Sequence, residues 1–338
     1  MSPRSAASRG GPDTRLFTFQ RAASVDEAIA SGAGAAFLAG GTNLVDLMKI
    51  EVLNPERVLD VSRLDLAKIE LREGALQIGA LASNTAVAEH GDVRRAAPGL
   101  SEALLSGASP QLRNAATVGG NLLQRTRCAY YRDLGTRCNK REAGSGCDAL
   151  DGWTRMHAIL GVSDKCIAAH PSDMCVALYA LDATVRVRGP AGEREIPIGE
   201  LHLLPGDHPE REFSLQPAEL ITGVRVPIDA LAARSRYVKV RDRQSYAFAL
   251  ASCAAAVQVE GGAVQAARFA LGGVGTKPWR VPEAERSMQG RPATRETFAR
   301  AAEIALRGAT PRRDNAFKVE LAKRTAVRGL MLSAGALS

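Results

Sequence analysis

The sequence predicts an α+β chain of more than one domain, with two small α/β units ahead of a C-terminal antiparallel sheet backed by helices. Three observations carry that expectation. At 338 residues the chain exceeds one ordinary core, since domains run to roughly 100–200 residues. Near its start, a short wholly apolar segment, Ala35 to Ala39, ends in a glycine turn that leads straight into helical spacing. From Tyr237 the pattern changes to long strands, Ala247 to Val259 and Ala263 to Gly273, joined at Gly261-Gly262 and followed by two Ala- and Leu-rich helices, Thr294 to Arg307 and Asn315 to Leu332.

A polar tail occupies residues 1–15. The first unit, 16–70, begins with a capped helix from Ser24 to Ala30, because Ser24 can accept an N-terminal amide. Ala35 to Ala39 reads as a strand, Gly40-Gly41-Thr42 as a turn, Leu44 to Lys49 as a helix and Arg57 to Val61 as the return strand. The second unit, 71–228, opens on the strand Ala75 to Ala80 and continues in helices near Asn84 to Glu89 and Gly99 to Leu105. It contains an insert at 124–166, rich in Arg, Gly and Cys, whose lack of apolar periodicity gives it no hydrophobic core of its own. The last unit spans 229–338.

Composition narrows the function. Hydrophobic residues make up 46% and charged residues 24% of a chain with net charge +8, a balance that suits a globular protein. The cations interleave with carboxylates, as in Glu193-Arg194-Glu195, so they form no nucleic-acid stripe. No run approaches the ~18–20 apolar residues of a membrane span, and the basic N-terminus lacks an apolar signal core. These features predict a cytoplasmic location, with the periplasm reached only by co-export with a signal-bearing partner. There is no nucleophile elbow, paired-carboxylate signature or phosphate-binding lysine loop, so no hydrolase reading is supported.

Two glycine pairs carry the chemistry. Gly40-Gly41-Thr42-Asn43 lies where a strand meets a helix start, a place where free amides favour a phosphate, though a plain tight turn has the same composition. Arg113 to Asn121 brings a second pair, Gly119-Gly120, next to hydroxyl and amide side chains. Two such loops suggest one long ligand. In the insert, Cys128, Cys138, Cys147 and Cys166 are separated by nine, eight and eighteen residues, a spacing that leaves zinc, an iron-sulfur cluster or unrelated thiols open. Metal ligation would supply an organiser for a coreless segment, and Arg125, Arg127, Arg132, Arg137, Lys140 and Arg141 could offset cluster charge. Cys175 and Cys253 stand among apolar residues and read as core, and His157 and His170 as structural groups.

The segments FLAGGTNLVDLMK, IGALASNT, LRNAATVGGNL and HPSDM, in this order, resemble the FAD-binding subunits of the xanthine dehydrogenase and molybdenum hydroxylase family. With the Cys-rich insert and KVRDRQSYAFA, the likeness is greatest to the flavin and iron-sulfur subunits of bacterial periplasmic-type aldehyde oxidoreductases, and it runs from Leu16 through nearly the whole chain. The resemblance implies a PCMH-type FAD-binding domain of two subdomains and a C-terminal domain of the CO dehydrogenase flavoprotein type. It assigns FAD contacts to Ala36, Phe37, Leu38, Ala39, Gly40, Gly41, Thr42, Asn43 and Leu44, to Thr117, Gly120 and Asn121, and to Asp173 and Lys239. It favours a 4Fe-4S cluster on Cys128, Cys138, Cys147 and Cys166. It further implies a partner with the molybdenum cofactor that oxidises an aldehyde and a second partner with 2Fe-2S clusters, leaving no catalytic residue here. Two rival readings are a zinc-stabilised scaffold and a self-sufficient flavin oxidase.

Overall fold

Three sheets organise the chain in the computed structural model, which describes residues 16–336. The polar tail expected at 1–15 lies outside the described residues. β1 (Thr18–Arg21), β2 (Ala36–Leu38) and β3 (Arg57–Asp60) form a parallel sheet in the order β1-β3-β2. Parallel neighbours need crossovers, and the helices Val25–Gly32 and Leu44–Lys49 supply them. Ser24 starts the first by accepting the Glu27 amide at 3.1 Å, as its residue type predicts.

The second sheet is antiparallel, in the order β4-β5-β8-β6-β7, from β4 (Ile69–Arg72), β5 (Ala75–Gly79), β6 (Thr184–Gly189), β7 (Gly192–Pro197) and β8 (Leu220–Pro227). Glu70, the sequence-based boundary, falls inside β4, because the turn at Glu73-Gly74 makes β4 and β5 one hairpin. The helices Pro98–Ser106 and Asp173–Ala180 bury Leu100, Leu104, Val176 and Leu178 in one core with Leu76 and Ile78 of β5 and Val185 and Val187 of β6.

The third sheet runs β11-β10-β9, from β9 (Arg236–Val240), β10 (Ala251–Glu260) and β11 (Ala263–Gly272). Gly261 and Gly262 both take positive φ, 56° and 79°, which a two-residue hairpin of this twist requires. β10 starts at Ala251 rather than Ala247, since 241–249 leaves the sheet as a loop. The helices Arg295–Ala305 and Phe317–Ser333 cover this sheet through Phe298, Ala302, Ala326 and Leu330.

The insert has only the short helix Ala129–Arg132, as its composition predicts, but a polar network and borrowed cores hold it. Arg127 and Arg132 both bond Asp46 of the first unit, Arg125 and Lys140 bond Glu212 of the second, and Thr154 bonds Asp314 of the third. Tyr131 and Cys138 pack with Leu47 and Val52, while Ile159 and Leu160 enter the C-terminal core.

Lys318 pins the insert from the C-terminal helix. It is fully buried, and its Nζ donates to the carbonyls of His157 at 3.0 Å and Gly273 at 2.8 Å. Burial, with Arg155 adding to it, pulls its pKa down to about 7. A folded-state value below the unfolded ~10.4 means that the unfolded chain binds more protons between the two, so stability rises with pH across that window and falls as pH drops through it. Lys318→Met is expected to flatten that rise by a few kcal/mol, as read from urea unfolding of both proteins at successive pH values.

Candidate functional site

The two glycine loops meet. A side-chain carbon on Gly40 would lie 1.9 Å from the carbonyl oxygen of Ala115, so the backbone of the first loop rests on the segment that leads into the second. Gly41 has φ of 71°, a left-handed conformation that turns β2 into the helix at Leu44. In the second loop Thr117 caps the helix Val118–Leu122 by accepting the Gly120 amide at 3.2 Å. Gly119 packs on Ala80 at the end of β5. A side chain on Gly120 would meet only the Thr117 hydroxyl.

These loops border two adjoining clefts. The larger, of about 810 Å³, is lined by Gly41, Thr42, Asn43, Gly120, Asn121, Asp173 and Lys239. The smaller, of about 260 Å³, is lined by Phe37, Ala39, Gly40, Leu44 and Thr117, and shares Gly41, Thr42, Asn43 and Gly120 with the first. Ala36 and Leu38 line neither, since their strand β2 is held in the parallel sheet. Asn43 fixes the first loop to the insert by accepting the Arg125 amide at 3.0 Å, which leaves its Nδ2 buried without a partner among the described residues. Asn121 Oδ1 accepts from Ser172 at 2.7 Å and from Gln124 at 2.6 Å.

Asp173 and Lys239 come together as a pair. Ser172 caps the helix that begins at Asp173, and the carboxylate accepts from Tyr237 at 2.6 Å and from Lys239 at 2.7 Å. Tyr237 and Lys239, two residues apart on β9, share a face. Lys239 also donates to the Ser106 carbonyl at 3.1 Å, so one of its three N–H donors is uncommitted. The side chains of Asp173 and Lys239 are only 9% and 3% exposed. Removing one partner of a buried pair strands the other, at about 3–5 kcal/mol. Lys239→Met should lower stability by that amount in chemical denaturation, and Lys239→Arg by less.

Residues 15–229 match the family profile of the FAD binding domain in molybdopterin dehydrogenase, and residues 236–332 that of the CO dehydrogenase flavoprotein C-terminal domain. The chain belongs to the FAD-binding subunits of the molybdenum hydroxylase family. It is 49% identical over 317 residues to the aldehyde oxidoreductase FAD-binding subunit PaoB of Escherichia coli K12, covering 92% of this chain and 96% of the relative. It is 26% identical to the carbon monoxide dehydrogenase medium chain of Hydrogenophaga pseudoflava, over 94% of each chain. A solved carbon monoxide dehydrogenase from that organism superposes with TM-score 0.74 at 25% identity, covering 95% of this chain and 98% of the other. The α+β architecture is therefore that of this oxidoreductase family.

Within this family member the four insert cysteines lie near enough for their charges to act on one another. Cys138 and Cys147 face each other in an isolated antiparallel bridge. Burial pushes the Cys128 thiol up to about 12, with neighbouring Cys138 and Cys166 adding to it. Cys147 is raised by burial and then by Cys166, and Cys166 by burial against the opposing charge of Lys140. Most of the surrounding cations are committed elsewhere: Arg127 and Arg132 to Asp46, Arg137 to Asp148, and Arg141 to the carbonyls of Tyr130 and Tyr131. Lys140, which also pairs with Glu212, and Arg125 lie near enough to the thiols for their charges to act on one another. Cys175 and Cys253 are fully buried in the two large cores, as their apolar flanks predict. His157 approaches Cys128 Sγ at 3.1 Å through Nε2.

Sequence reasoning missed Asn84, Tyr246 and Phe248, which line the larger cleft, and named Arg113 and Arg127, which also line it, in other roles. Asn84, Arg113, Tyr246 and Phe248 all lie inside the segments that carry the resemblance, which is the available signal. Sequence reasoning also missed that His170, Cys175 and His202 are brought together, their donor atoms within 4.8 Å of one another.

Proposed function

We propose that this chain binds one FAD and serves as the electron-transferring subunit of a molybdenum-containing aldehyde oxidoreductase. The observation that supports this reading best is the backbone contact of Gly40 with Ala115, which joins two glycine loops around adjoining clefts of about 810 and 260 Å³. The residues fit the cofactor. Asn43 Nδ2 and Arg113 Nε are buried without partners among the described residues, and Gly120 opens where a side chain would intrude. Gly40 to Asn43 and Thr117 to Asn121 would hold the pyrophosphate, with Asp173, through the Lys239 pair, bracing the cleft wall. Bound flavin supplies exchange of single electrons with iron-sulfur centres and of electron pairs with an acceptor.

In this reading a partner chain with the molybdenum cofactor oxidises the aldehyde, and a second partner with 2Fe-2S clusters delivers the electrons. The relative at 49% identity, named as an aldehyde oxidoreductase subunit, supports the substrate class. Cys128, Cys138, Cys147 and Cys166 would hold a 4Fe-4S cluster, for which four neighbouring thiols are a complete ligand set. Among the described residues no helix is long and apolar enough to cross a membrane. The compartment would follow the partners: the cytoplasm, or the periplasm when a signal-bearing partner carries the complex out.

Metal and flavin analysis of the anaerobically purified chain tests both cofactors. Ser at Cys128, Cys138, Cys147 or Cys166 is expected to lower iron content, and Ser at Cys175 or Cys253 to leave it unchanged. Limited proteolysis should then open the 128–147 stretch, while Ile159 and Leu160 stay protected by the C-terminal core. Equal iron in all six variants would remove the cluster, and a colourless zinc protein would favour the scaffold.

A further inference from the structure

A separate cavity of about 340 Å³ lies between the insert and the end of β11, and shares Arg127, Pro171, Asp173 and Phe248 with the larger cleft. Its walls are mostly apolar, with Trp153, Met156 and Phe248 presenting broad faces. Four of its lining residues carry a buried polar atom without a partner among the described residues: Arg127 Nε, His157 Nδ1, His170 Nε2 and Ser252 Oγ. Arg127 Nε is buried without a partner among the described residues, while the same side chain bonds Asp46 at 3.1 Å and lies over the Phe248 ring. His170 Nδ1 accepts the Ser172 amide at 3.3 Å, so the neutral ring carries its proton on Nε2, which is also buried and unpartnered among the described residues.

The chemistry of the occupant follows. The charge of Arg127 is matched by Asp46, so the cavity does not call for an anion. Its glycines, Gly272 and Gly273, press on Val176, Ser252 and the Ala249 carbonyl, and so do not cradle a phosphate. An apolar slot with a few placed donors suits a flat neutral molecule bearing carbonyl oxygens.

We propose that this cavity binds a quinone, which takes electrons from the flavin in the neighbouring cleft. The inference rests on the FAD reading above. Two electrons and two protons leave the reduced flavin, the two quinone carbonyl oxygens become hydroxyls, and the flavin returns to its oxidised form. Arg127 Nε–H and His170 Nε2–H donate to those oxygens, and the aromatic side chains pack on the ring.

The test uses the full FAD-loaded chain, with flavin content measured first, and menadione titrated by calorimetry. Saturable one-site binding is expected. Ala249→Phe, which fills the slot, and Trp153→Ala, which removes a wall at a largely exposed position, should each weaken it at least tenfold. Neither should change FAD content or the rate at which the chemically reduced chain reduces ferricyanide, an acceptor that needs no apolar slot. FAD-loaded wild type without saturable binding would overturn the proposal alone, as would variants that bind menadione like wild type. Menadione competing with FAD for the flavin-free chain would show that the cavity holds the flavin ring itself and would overturn it too. A wild-type chain that takes up no FAD would sink the parent reading and this one with it.

Discussion

A chain carrying Gly120→Val is expected to fold and to emerge from purification without FAD. Gly120 sits where the two clefts join, and a side chain there meets only the Thr117 hydroxyl, at 3.1 Å, before entering open space. The branched side chain would occupy that space, and within the protein only the capping Thr117 hydroxyl would have to shift. A clash of this kind should weaken FAD binding by roughly a hundredfold, equivalent to ~2.7 kcal/mol. The neighbouring glycines make useful contrasts. Gly40→Ala drives a carbon into the Ala115 carbonyl and should disturb the loop contact whether or not FAD is present. Gly41→Val combines a φ of 71° with Val45 at 3.1 Å and should lose FAD through strain as well as crowding, whereas Gly41→Asn, a residue that tolerates the left-handed region, should lose less. The flavin-to-protein ratio after desalting, beside the melting temperature, separates these cases. Stoichiometric FAD in folded Gly120→Val would refute the pyrophosphate assignment.

The isolated chain is expected to show no aldehyde-dependent dye reduction above buffer, and the assay should gain turnover only with the molybdenum and 2Fe-2S partners present. Among the described residues, the carboxylates that line the larger cleft are each held by a cation: Asp173 by Lys239, Asp46 by Arg127 and Arg132, and Asp242 by Arg155. Chemically reduced chain should still pass electrons to artificial acceptors. Comparable aldehyde turnover by the chain alone would favour a self-sufficient flavin oxidase.

The parts of the site that depend on local chain chemistry are legible in the sequence. Ser24, Thr117 and Ser172 each cap a helix in the way their residue types and positions specify. The Gly261-Gly262 hairpin and the turn at Gly41 follow from backbone freedom alone. The antiparallel sheet was not assigned, although Val185 and Val187 alternate as a half-buried strand should, because β6 pairs with β8 from 220 onward and that register is non-local. For the same reason the spacing of nine, eight and eighteen residues conceals the proximity of the cysteines: Cys138 meets Cys147 through a bridge and Cys166 returns from beyond Ile159. Asp173 and Lys239 were named separately. Their pairing depends on the docking of β9 against the helix at Asp173, which no local pattern records.

The insert is tied to Asp46, Glu212 and Asp314, one carboxylate from each of the three units, and its Arg127 forms part of the cleft wall. Such a segment acts as a clasp, since it can settle only after the three bodies it joins have docked. FAD supplied during refolding is therefore expected to be taken up before the insert becomes resistant to protease, as pulse proteolysis along the refolding time course would read. Variants that loosen the insert, such as Asp46→Asn, are expected to release FAD faster even though the glycine loops are unchanged.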